Sequence, residues 1–184
     1  MSVDAETLKT LIARELGHLS DERVKEHIRR LLVVPEAVMR NWDYGKPGEQ
    51  YLCWTVLNDI DSNTGIVYCE SGFGPRNPWG LVWLGSEDVK HTSIGMDSGW
   101  FSTFLDAFFD SFAATRLPIW RVFRTNSSGI REAITGEGTW EATWGRVSEC
   151  RQKDPASRYD CGHNIADARP EPDDDQVSSP MGIP

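Results

Sequence analysis

The sequence predicts an α+β protein: an N-terminal helical hairpin, a central and mostly antiparallel sheet of about four to six strands, an aromatic-rich helix packed on that sheet, and a disordered C-terminal tail. Three observations carry this reading. Apolar residues recur with helical period through residues 5–32. Short runs of β-branched and aromatic residues, separated by turn formers, fill residues 52–96. A series of phenylalanines then returns to helical period over 100–113.

In residues 5–16, Leu8, Leu11, Ile12 and Leu16 form one apolar stripe, with Asp4 suited to cap the start and Gly17 to stop the helix. A second helix is expected over 21–32. Ser20 is placed to cap it, Asp21 and Glu22 suit the positive end of its dipole, and Arg29 and Arg30 suit the negative end. The short connection between the two predicts a helical hairpin over residues 1–40.

The period then changes. Residues 52–57 and 66–69 are rich in strand formers, and Asn58, Asp59, Asp61, Asn63 and Gly65 between them favour a turn. A hairpin symmetric about Asp61 sets Trp54 opposite Tyr68 and Cys53 opposite Cys69. Residues 72–80 contain three Gly and two Pro and read as a stiff loop, followed by strands at 81–84 and 93–96. Within 100–113, Phe101, Phe104, Leu105, Phe108, Phe109 and Phe112 share one face, with Asp97 or Ser98 to cap the start and Pro118 to close the segment. Residues 120–125 alternate as a strand expected in the same sheet. Residues 126–150 fit two patterns, a helix capped by Thr139 or a strand through Trp140 and Trp144. From Arg151 the chain carries half of its Pro and few apolar residues, which predicts an acidic, Pro-rich, disordered tail over 151–184 beyond a single domain at 1–150.

The 184 residues carry a net charge of −9, and the excess is uneven. Residues 41–119 hold ten acids against four bases, and residues 151–184 hold seven against four. Phosphate recognition needs Lys and Arg, so no nucleic acid is expected as a partner. A basic protein is the expected partner, because the central negative segment would attract one. No apolar run approaches the ~20 residues that cross a bilayer, and the acidic start lacks the pattern of a secretory signal, so no membrane and a cytoplasmic setting are expected. In that setting the four Cys read as free thiols.

The candidate chemistry is sparse. Cys69, Glu70 and His91 form the one thiol–imidazole combination in the sheet region, with a solvated His91 as the ordinary alternative. Cys150, Cys161 and His163 give a C-x10-C-x-H spacing that lacks a fourth ligand, so no metal site is expected. The 72–80 loop is neither a G-x-G-x-x-G nor a Walker A sequence, so no cofactor is expected there. It does offer backbone N–H groups and the cation Arg76 beside Trp79. Asp59 and Asp61 at the hairpin tip, Glu87 and Asp88 in the following loop, and Arg76 and Trp79 are the expected binding residues. Together these point to a non-enzymatic protein-binding module, of the acidic immunity or antitoxin type that inhibits a basic toxin or nuclease. A small hydrolase or transferase using Cys69, Glu70 and His91, or an assembly protein, are the alternatives.

Overall fold

A computed structural model describes residues 3–71, 74, 76–85, 93–95 and 99–165. The first helix, α1, spans Ala5–His18, and Asp4 caps it by accepting from Thr7 N at 2.8 Å. It runs through Gly17, which was expected to stop it, and ends at Leu19. The second, α2, spans Glu22–Leu31. Its cap is Asp21, which accepts from Arg23 N, rather than Ser20. Leu8, Ile12, Leu16, Val24 and Ile28 are all buried in one core. Burying each such side chain is worth ~1.5–3 kcal/mol.

The chain then enters β1, Leu32–Trp42, where the sequence carries no clear strand signal. Pro35 explains the weak signal and also its resolution. It has no N–H for a ladder, and it lies in the register irregularity between Leu32 and Glu36. Next come β2 (Gln50–Asp59), β3 (Thr64–Tyr68), β4 (Trp79–Trp83), β5 (Ser93–Ile94) and β6 (Trp100–Phe101). They form a six-stranded sheet in the order β5-β1-β2-β3-β4-β6, antiparallel except where β5 runs parallel to β1. The expected hairpin is present, with Trp54 opposite Tyr68, and an irregularity between Thr55 and Leu57 shifts the register nearer the tip. The turn closes with Asn63 at a φ of 57°, a conformation Asn tolerates better than most residues.

Trp79 and Gly80 belong to β4, so the stiff loop ends earlier than its composition predicts. A side chain at Gly80 would collide with the Trp100 ring, so glycine lets that indole lie flat on the strand.

The expected helix over 100–113 is three elements. Residues 100–101 are β6, and two short helices follow: α3 (Phe104–Asp110) and α4 (Phe112–Thr115). Thr103 caps α3 by accepting from Asp106 N; Asp97 and Ser98, the expected caps, lie outside the described residues. Glu15 reaches from α1 to accept from Phe104 N and Leu105 N, tying the first helix to the start of α3. Phe104 and Phe108 are fully buried between the helices and the sheet.

Residues 120–125 form a strand, β7 (Trp120–Thr125), but not in the main sheet as expected. It is the centre of a second, three-stranded antiparallel sheet, between β8 (Arg131–Ala133) and β9 (Arg158–His163). The helix α5 spans Trp140–Lys153, capped by Thr139, and covers this sheet through Val147 against Val122 and Tyr159. The helical pattern therefore prevails over the alternating one. The boundary of the expected tail is also corrected. Residues 151–163 complete α5 and supply β9, whose Tyr159 is buried. No helix among the described residues is long and apolar enough to cross a membrane.

Candidate acidic and aromatic corner

The site grows from the break between α3 and α4. Ser111 adopts an extended backbone, φ −82° and ψ 159°, and its hydroxyl donates to Phe108 O at 2.6 Å. A serine that captures a carbonyl of the preceding turn offers the backbone an alternative to continuing the helix. The break turns Phe112 off the apolar face, where a continuous helix would hold it. The small Ala113 and Ala114 enter the core instead, and the Trp120 indole donates to Ala114 O at 3.0 Å. Phe112 is left 56% exposed beside Trp83, itself 55% exposed, with ring centroids 6.3 Å apart. Trp83 sits at the end of β4 opposite Thr64, which places both rings beside the β2–β3 hairpin tip.

Arg116, which closes α4, staples that tip. Its guanidinium donates to Asp59 at 2.5 Å and lies 3.8 Å from Asp61. Ser62 Oγ donates to the same Asp59 carboxylate. Burial opposes the charge on Asp59, but the hydrogen bonds from Arg116 and Ser62 outweigh it and hold the carboxyl below its usual range. Ile60, between the two acids, is exposed.

Two grooves flank residues 110–112. One, of about 910 Å³, lies toward α5 between Phe109, Phe112, Trp120 and Trp140, and is also lined by Asp110, Glu141 and the cation Arg116. The other, of about 450 Å³, lies toward the main sheet and is lined by Asp43, Thr64, Trp83, Ser93, Asp110 and Phe112 among others. The described residues lining this second groove include two carboxylates and no Lys, Arg or His.

The residues expected from sequence fall differently. Asp59 is not an exposed tip carboxylate: it is 1% exposed, because its turn folds back onto Arg116. Asp61 remains exposed and belongs to the corner. Trp79 is 3% exposed, packed edge-on against Tyr68 and Phe104, so it supports the core and offers no surface to a partner. Its place in β4 points it inward, and Trp83, four residues later, is the indole that reaches the surface. Arg76 is exposed, in the loop before β4, and does not line either groove. Glu87, Asp88 and His91 lie outside the described residues.

The thiol chemistry weakens as well. Cys69 is fully buried against Cys53, and the hydrogen bond between the two thiols raises Cys53 and lowers Cys69, so burial and not a raised thiol is what keeps Cys69 from a substrate. Glu70 is exposed and accepts from Val3 N. Cys161 and His163, two residues apart in β9, share one face of the strand. Burial and the neighbouring Asp160 push the Cys161 thiol up to about 11, far from a thiolate at neutral pH. His163 lies against the rings of Phe109 and Trp120. Among the described residues no group of three or more His, Cys, Asp and Glu is placed to hold a metal ion.

Sequence reasoning missed Trp83, Phe112, Asp43 and Asp110. The available signal was Asp110-Ser111 inside the phenylalanine stripe, a pair that favours helix ends and here marks one. Comparison with protein-family models, with curated proteins and with solved structures finds no match to the chain.

Proposed function

We propose that this chain is a non-enzymatic protein-binding module that recognises a basic protein, in the manner of an acidic immunity or antitoxin-type inhibitor of a toxin or nuclease, acting in the cytoplasm. The observation that carries this reading is the exposed Trp83–Phe112 pair, which lines one groove together with Asp43 and Asp110. Large aromatic residues that remain exposed beside one another mark surfaces that bind. Aromatic anchors ringed by charge are the usual energetic layout of an interface. The net charge of −9 supports fast, salt-dependent association with a basic partner. The enzyme reading has less support, because the Cys69 thiol is fully buried in the sheet, out of reach of a substrate.

The test is capture of partners from the native host on immobilised protein at low and high salt, with wild type beside a Trp83→Ala, Phe112→Ala double variant. A basic protein retained by wild type, lost from the variant and weakened by salt is the expected result. Retention that is unaffected by both changes removes the corner from the interface.

A further inference from the structure

We infer that the groove between Asp43, Trp83, Asp110 and Phe112 receives one arginine side chain of that partner. This rests on the protein-binding reading above and specifies the chemistry it recognises.

Charge comes first. Two carboxylates, from Asp43 and Asp110, line a concavity of about 450 Å³ whose described lining holds no cation. No ion pair or side-chain hydrogen bond among the described residues engages either one. Elsewhere the carboxylates of Asp59, Glu132, Glu137 and Asp160 all have Arg partners. Asp110 is also the last residue of α3, whose last turn carries no basic residue. A carboxylate there opposes the negative end of the helix dipole and makes the local field still more negative.

The aromatic walls select among cations. Trp83 and Phe112 line the same groove, with ring planes inclined at 45°. A guanidinium is planar and weakly hydrated, stacks on aromatic faces, and presents a fork of donors to more than one carboxylate. An ammonium is a compact, strongly hydrated point charge and uses such walls less well. The chain applies the same chemistry to itself on the second sheet. There the Arg131 guanidinium lies 3.6 Å over the Phe123 ring centroid while donating to Asp160 at 2.8 Å. The groove offers the ring and the carboxylates of that arrangement without its arginine.

The test titrates N-acetyl-arginine amide into the full chain and follows indole N–H signals by nuclear magnetic resonance, with the lysine and citrulline amides as comparators. Citrulline keeps the shape of arginine and lacks its charge. Saturable shifts of the Trp83 signal are expected with arginine in the millimolar range, the scale of a single side chain. They should be about tenfold weaker with lysine and absent with citrulline. Asp43→Asn and Asp110→Asn should each weaken arginine binding by about threefold to tenfold, with thermal melts like wild type because both acids are exposed. Equal binding of arginine and citrulline, or no response to either substitution, overturns the inference. If a basic partner is captured but arginine amide neither binds nor competes, the groove assignment fails and the protein-binding reading stands. If arginine amide binds and no partner is captured, the assignment to a partner's side chain is overturned together with that reading.

Discussion

Phe112 faces Trp83 at a ring-centroid distance of 6.3 Å because Ser111 ends α3 one residue earlier. The hydroxyl-to-carbonyl bond from Ser111 to Phe108 sits at the break that precedes this exposed aromatic pair. Replacing Ser111 with Ala removes that bond and also an alternative to helix at this point. The expected outcome is a loss of ~1 kcal/mol in stability together with altered Trp fluorescence. Fluorescence identical to wild type would separate the Phe112 position from the break.

Trp79 and Trp83 lie in one short strand and should respond oppositely. Trp79→Ala leaves a cavity against Tyr68 and Phe104 and should cost ~3–5 kcal/mol in a denaturant melt. Trp83→Ala should change the melt little and speed dissociation of the partner. A stable Trp79 variant would refute the inward packing.

Phe108 is fully buried, edge-on to Phe109 and near the His27 ring. Phe108→Ala should also cost ~3–5 kcal/mol, since so enclosed a site collapses poorly. An unchanged melting temperature would contradict the position of α3 between α1 and the sheet.

Asp59 makes stability depend on acid. Its folded carboxyl titrates below its ordinary value near 3.8, so its contribution is present above that pH and is lost as pH falls through the lowered folded value. Asp59→Asn should flatten this acid limb of a pH-dependent melt. Arg116→Ala, which strands the buried carboxylate, should cost ~1–3 kcal/mol at neutral pH. A wild-type acid limb unaltered in Asp59→Asn would show that other carboxylates govern it.

Removing residues 155–184 deletes β9, which pairs with β7 along its whole length and buries Tyr159. A marked drop in melting temperature is expected, the reverse of what composition alone implies for that stretch. Unaltered thermal stability would mean that the second sheet contributes little to the fold.

What the sequence determined by itself is the local part of this protein. The stripes of α1 and α2, the Asp4 cap, and the Trp54–Tyr68 pairing are written in neighbouring residues, because helix faces, caps and tight hairpins depend on contacts a few positions apart. The tertiary structure decided the rest. It recruited residues 158–163 into a strand, since pairing with β7 gave a weakly apolar segment the hydrogen bonds that local sequence cannot supply. It buried Asp59 under Arg116, 57 residues away, and so removed a tip acid from the surface. It broke the phenylalanine stripe at Ser111, because Ala113, Ala114 and Trp120 fill the core where Phe112 would have gone. The candidate site consists of the residues those long-range choices left outside, so its chemistry is present in the sequence while its location depends on contacts between distant segments.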